Sequence, residues 1–264
     1  MSEKNLEALM GLHVERNGSG PDLVLLHGWG MNSGVWDDVA AVLAQQFHVH
    51  SVDLPGHGGS DTCTPYELDA VTATLAAALP PQAIVCGWSL GGQVAINWAL
   101  TRPGQVTRLV LIASTPRFVR GPGWDCGVDS AVLDDFARDL AHDWRIALRR
   151  FNELQAHGDI ERRAVARRLH ERILAHGEPV TAALAAGLHI LRQTDLRANL
   201  AHIAQPVLIL HGARDAVVPL AAGEYLQRTL PRATLDVFAH TGHAPVIAEP
   251  QRTARSIMEF CRGA

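Results

Sequence analysis

The stretch AIVCGWSLGGQVAINWALT, Ala83 to Thr101, decides the fold. It opens with a short apolar, β-branched run of strand length, AIVCGW, and closes with a helix-length segment, Gly91 to Thr101. Between them GWSLGG, Gly87 to Gly92, fits the pattern G-x-S-x-G. A serine at so tight a strand-to-helix turn is held in a strained backbone conformation. Gly87 and Gly91, two residues either side, keep Cβ atoms out of its way, and the helix N-terminus behind it favours negative charge. The same letters also describe a glycine-rich turn with an incidental serine. The position directly after a strand and before a helix makes Ser89 a candidate nucleophile.

Working outward, LVLLH (Leu23–His27), HVHSVD (His48–Asp53), RLVLIA (Arg108–Ala113), PVLILHG (Pro206–Gly212) and TLDVF (Thr234–Phe238) read as further strands. Helices are expected near Ser33–Gln45 and Tyr66–Leu79, with a closing helix at Pro250–Arg262. Continuous apolar strands alternating with helices imply the α/β class, a mostly parallel sheet covered on both faces. From about Arg117 to Leu196 the pattern is helical, with no convincing strand. The expected organisation is one core, residues 1–116 and 197–264, with a helical lid, residues 117–196, inserted between two later strands.

Serine needs an adjacent base at neutral pH, and the chain has 14 histidines to choose from. His48, His50, His142 and His157 lie in expected strands or helices without supporting context. His243, in HTGHAP after the TLDVF strand, fits the chain order serine, acid, histidine, with His240 as runner-up. Asp215, in HGARDAVVP just past the PVLILHG strand, stands where the carboxyl ends of parallel strands assemble sites. It would fix the imidazole tautomer; its alternative is a simple turn residue. Ser114, Thr115 and Pro116 follow RLVLIA, so no acid occupies the other usual position. Two backbone N–H groups are expected to face a developing oxyanion: Leu90, after the serine, and Trp29 in LHGWG, Leu26–Gly30. Trp29 and Trp88 are also expected to bring indole surface to a pocket, with ordinary core packing as the alternative for each.

Composition excludes several classes. The chain has 264 residues, 47% of them hydrophobic, and a net charge of -4, so no nucleic-acid partner is expected. No apolar run reaches the roughly 18 residues of a membrane helix, and the first twenty residues read as no leader. Cys63, Cys86, Cys126 and Cys261 form no CxxC pair; neither a metal nor a disulfide framework is expected, and the default compartment is the cytosol. Cys261 stands fourth from the end of the sequence, in a setting that does not favour prenylation. From Arg145 to His176 eight arginines face four acids, a local +4. Helical spacing puts Val165, Leu169 and Ile173 on one face, and Arg163, Arg167 and His170 on another.

LHGWGMNSGVW, VDLPGHGGS, GWSLGGQVA, RLVLIASTP, HGARDAVVP and HTGHAPVIAEP together resemble α/β-hydrolase fold enzymes along nearly the whole chain. More narrowly, HGWG, GWSLGG, ASTPRF, FNELQ (Phe151–Gln155) and LHILRQTDLR (Leu188–Arg197) are similar to the pimeloyl-[acyl-carrier protein] methyl ester esterases of biotin synthesis. The resemblance implies a monomeric cytoplasmic serine esterase without a cofactor, which removes a methyl ester from a pimeloyl chain on acyl-carrier protein. It implies that Phe151, Asn152, Glu153, Leu154 and Gln155 line a substrate channel with Trp29, Ser89, Leu90 and His243. It places Arg150, Arg163 and Arg167 at lid positions that dock the carrier. A solvated face is the plain alternative for those arginines. Two other functions stay open: a broad carboxylesterase or lactonase acting on small esters, and a ligand receptor derived from a hydrolase. Relatives that cleave halides or epoxides use aspartate as nucleophile, and Ser89 argues against them.

Overall fold

The computed structural model describes residues 11–175 and 177–263. The reading of the first ten residues, the His176 end of the arginine-rich stretch and Ala264 lie outside the described residues.

Seven strands form one sheet: β1 (Val14–Asn17), β2 (Asp22–Leu26), β3 (His48–Val52), β4 (Ala83–Trp88), β5 (Val106–Ile112), β6 (Val207–Gly212) and β7 (Ala233–Phe238). Their order is β1-β3-β2-β4-β5-β6-β7. Only β1 runs antiparallel, pairing with β3; the other neighbours are parallel. Every residue of β4 and β6 is buried. Side chains alternate along a strand, so such burial requires cover on both faces. Helices α1 (Asp37–Leu43), α2 (Leu68–Ala78), α3 (Leu90–Thr101), α8 (Leu220–Thr229), α9 (Pro245–Ala248) and α10 (Pro250–Arg262) accompany the strands. Helix α2 packs on α3, and α10 packs on α1. The structure adds β1, which has only half-buried or exposed residues, and extends β5 two residues earlier than RLVLIA suggests.

Among the described residues, four α-helices lie between β5 and β6, α4 (Ser130–His142), α5 (Trp144–Gln155), α6 (Arg162–Ala175) and α7 (Thr181–Gln193), followed by a 3-10 helix at Arg197–His202. Asp129 and Asp143 cap α4 and α5 through bonds of 2.9 Å from the N–H groups of Ala131 and Arg145. In α6 Val165, Leu169 and Ile173 are buried, while Arg163, Arg167 and His170 are exposed. Two ties bring this helix to the core. Asn32 Nδ2 donates to the carbonyls of Arg172 (3.3 Å) and Ile173 (3.0 Å), groups that a helix end leaves without intrahelical partners. The Arg172 guanidinium pairs with Asp37 and Asp38 at the start of α1. No described helix is long and apolar enough to cross a membrane.

Candidate active site

Ser89 sits between β4 and α3 with φ 56° and ψ −116°, a conformation that costs a non-glycine residue of order 1–3 kcal/mol. The surrounding packing permits no relaxation. A Cβ at Gly87 would run into Gly91, and one at Gly91 into the carbonyls of Leu26 and His27. Behind the turn, Ser114 Oγ donates to the Ser89 carbonyl at 3.1 Å.

The structure brings the three sequence candidates into one hydrogen-bonded line. His243 Nε2 is 2.9 Å from Ser89 Oγ, and His243 Nδ1 is 2.8 Å from Asp215 Oδ2. All three residues are buried. Asp215 Oδ1 accepts the N–H groups of Val217 and Val218, each at 2.8 Å, which orients the carboxylate before the imidazole meets it. His240, the alternative base, is exposed. His211, fully buried beside Asp215 Oδ2 at 3.6 Å, donates its Nε2–H to the Val218 carbonyl at 2.9 Å, and burial lowers its pKa.

The backbone N–H groups of Trp29 and Leu90 find no acceptor among the described residues. The Gly28–Trp29 turn passes close to the serine: a Cβ on Gly28 would lie 3.3 Å from that of Ser89. Leu90 directly follows Ser89 and Trp29 directly follows Gly28, so both donors belong to segments that meet at the serine. The Trp29 indole donates to the Leu184 carbonyl at 2.8 Å, so α7 of the insertion holds the residue in place. Its ring meets Phe151 edge-on at 5.1 Å and Phe136 at 6.1 Å. These three rings line an apolar cavity of about 120 Å³ together with Leu154, Leu188 and Val217.

Trp88 corrects one expectation. It is fully buried in the core, and its indole N–H donates to the His243 carbonyl at 2.8 Å. As the last strand residue before the turn it supports the histidine rather than lining a pocket. Of the FNELQ segment, Phe151 and Leu154 line the apolar cavity. Glu153 lines a groove outside it with Arg150, His157 and Arg162. Asn152 and Gln155 line neither space; the Gln155 amide donates to Asn152 Oδ1 at 3.2 Å. The three arginines expected at a docking surface stay on the outside. Arg150 pairs with Asp139 at 2.7 Å, Arg167 lies 3.8 Å from Glu171, and Arg163 is exposed.

One set of side chains could chelate a cation: Asp22, His48 and His50. It lies at the amino ends of β2 and β3, opposite the end that carries Ser89. There the Asp22 carboxylate already takes both imidazoles, at 2.9 and 2.8 Å. Arg16 is the cross-strand neighbour of His50.

Residues 23–256 match the Alpha/beta hydrolase family. The chain belongs to that family. This hydrolase is 48% identical, over 92% of its length and 97% of the relative's, to a protein of Nitrosomonas europaea named pimeloyl-[acyl-carrier protein] methyl ester esterase. A protein of the same name from Stenotrophomonas maltophilia is 42% identical over 94% of this chain and 96% of its own. Among solved structures, the esterase RhEst1 from a Rhodococcus species superposes with a TM-score of 0.79 at 29% identity, covering 96% and 94% of the two chains. An esterase from Exiguobacterium antarcticum, 24% identical, shares the fold with a TM-score of 0.88 over 96% of each chain.

Proposed function

We propose that this hydrolase removes the methyl ester from pimeloyl-[acyl-carrier protein] in biotin synthesis, giving methanol and a free carboxylate on the pimeloyl chain. The observation that carries the reading is the Ser89–His243–Asp215 line, with the Gly28–Trp29 turn against Ser89 and the Trp29 ring lining an apolar cavity, in a chain 48% identical to a protein of that name.

In this reading Ser89 is the nucleophile, His243 the base and Asp215 the group that orients the base. His243 Nε2 takes the proton of Ser89 Oγ as the oxygen adds to the ester carbonyl. The N–H groups of Trp29 and Leu90 hold the oxyanion, and a donor so placed contributes roughly 2.7–4 kcal/mol to lowering the barrier. The imidazolium returns the proton to the departing methoxide, which leaves as methanol. Water then gives a proton to the same nitrogen and attacks the acyl-enzyme; Ser89 is freed and the product is the carboxylic acid. No step requires a cofactor.

The insertion, residues 117–196, serves as a lid in this scheme. The apolar cavity and the outer groove share Val132, Phe136 and Leu154, so an acyl chain can run from one into the other. Arg150 and Arg162 stand beside the groove, where they suit a phosphate-bearing arm. Arg163 and Arg167, on the exposed face of α6, suit the acidic surface of a carrier protein. The enzyme is proposed to act as a monomer in the cytoplasm, in keeping with four unpaired thiols.

The test is incubation with pimeloyl-carrier methyl ester, read by mass spectrometry. Loss of one methyl group from the carrier-bound chain, absent with Ser89→Ala, is the expected result. Turnover of p-nitrophenyl butyrate without action on the carrier-bound ester would replace the reading with a broad carboxylesterase.

A further inference from the structure

The turn between α5 and α6, residues 155–159, belongs to the insertion, yet it lies against both loops that carry the catalytic line. The Gln155 carbonyl accepts the backbone N–H of His243 at 3.1 Å. Asp159 Oδ1 accepts the N–H of Gly242, the residue before the histidine, at 3.0 Å. Gly242 is pressed so close that a Cβ there would come within 2.5 Å of the His157 carbonyl. Gly158, with φ +94°, sits on the acid's side of the site: a Cβ there would run into the carbonyl of Arg214, the neighbour of Asp215. Four residues of this five-residue segment, Gln155, His157, Gly158 and Asp159, thus meet the loop of the base or the loop of the acid.

Asp159 is the anomalous member of this strap. It is 9% exposed, and its Oδ2 is buried with no hydrogen-bond partner among the described residues. An acid buried merely to fill space is costly, and an apolar or amide side chain would serve that purpose better. What the carboxylate provides is a fixed acceptor for an N–H that the loop cannot satisfy elsewhere. We propose that Asp159 is a positioning residue for ester hydrolysis. By holding Gly242 it sets the backbone of the His243 loop, so the alignment of the base depends on the seating of the lid. Opening of this part of the lid removes two of the bonds that hold the histidine's backbone. Turnover then awaits closure around the substrate.

Three groups face the Asp159 carboxyl electrostatically: Asp215 from the acid loop, Glu249 ahead of α10, and His243 itself. Burial and the two carboxylates push its pKa up to about 6, against the pull of the Gly242 N–H and the imidazole.

The inference rests on the Ser89–His243–Asp215 assignment and not on the identity of the carrier, so the test uses p-nitrophenyl butyrate. Asp159→Ala leaves the Gly242 N–H unpaired and is expected to lower kcat about tenfold, with KM within about twofold, the scale of one lost buried hydrogen bond. Asp159→Asn keeps an acceptor oxygen and is expected to recover kcat to within about threefold of the parent, since the hydrogen bond survives the loss of charge. The rate at which a fluorophosphonate labels Ser89 should follow kcat in each variant, and it counts only folded, competent sites. Parent-like kcat and labelling in Asp159→Ala overturn the proposal, as does a lower Tm with unchanged labelling. Equal impairment of the alanine and asparagine variants overturns the hydrogen-bond role. Ser89→Ala, run alongside, separates the two levels: if it is inert, the assignment stands whatever Asp159 does, and if it is active, both fall.

Discussion

Asp215→Asn tests the orientation of the base through an asymmetry that the structure makes explicit. The two carboxylate oxygens have different partners. Oδ1 takes the Val217 and Val218 N–H groups at 2.8 Å each, and Oδ2 takes His243 Nδ1 at 2.8 Å. An asparagine amide can be placed in only one way. Its NH₂ cannot face two backbone donors, so its oxygen must stay with Val217 and Val218. The NH₂ is then forced against His243 Nδ1. That nitrogen must become the acceptor, which moves the imidazole proton to Nε2, the atom 2.9 Å from Ser89 Oγ. In this tautomer the imidazole cannot accept the serine proton. The expected loss in kcat is about 10⁴-fold, roughly 5 kcal/mol of barrier, as for the same exchange in serine proteases. The backbone bonds survive, so Tm should fall little. Asp215→Ala is the contrasting variant: it strands two buried N–H groups at about 1–3 kcal/mol each and should lose several degrees in Tm as well as activity. The assay is steady-state hydrolysis of p-nitrophenyl butyrate with Tm measured on the same preparations. An Asp215→Asn enzyme that keeps more than a tenth of the parent kcat would refute the tautomer argument.

Ser89→Ala and His243→Ala should each lower kcat by roughly 10⁴–10⁶-fold, with His240→Ala near the parent; the reverse order for the two histidines would reassign the base. Arg163→Glu combined with Arg167→Glu should raise KM for the carrier-bound ester, more so at low salt, and leave p-nitrophenyl butyrate hydrolysis unchanged; equal damage to both substrates would make the pair a support of the lid. Because Asp159 titrates near 6 in the fold and an unfolded aspartate near 3.9, the folded chain holds that proton more tightly. The resulting stability is fully present below the unfolded value and is lost as pH rises through 6. Asp159→Asn removes that loss, so its Tm relative to the parent should climb between pH 4 and pH 7 and then level off; a difference independent of pH would show that the carboxyl titrates normally.

What the sequence revealed follows from how each feature is encoded. The parallel strands were legible because burial on both faces writes a continuous apolar run: IVC in β4 and VLIL in β6 can be little else. The edge strand β1 was not, since VERN is half-buried and its pairing with β3 rests on backbone bonds that no side chain announces. Ser89, Asp215 and His243 could be placed because each lies just beyond a strand in a fixed chain order. Strand alternation alone did not reveal that Trp88 turns to the His243 carbonyl. The strap at 155–159 was invisible for a stronger reason. Its Gln155 contact is made by a carbonyl, and Asp159 meets Gly242 across 83 positions of sequence. The arginine-rich stretch shows the converse error, in which a count overstates a surface. Arg145 pairs with Glu178, Arg150 with Asp139, and Arg172 with Asp37 and Asp38; none of these acids falls inside the stretch that was counted. Much of the apparent surplus of positive charge is therefore spent within the lid and on fastening it to α1. What remains for a partner is narrower: Arg149, Arg162 and Arg163, exposed and outside every ion pair among the described residues, with Arg167 held by Glu171 at 3.8 Å. A carrier that docks on this insertion would therefore meet a few exposed guanidinium groups next to the groove that Arg162 lines.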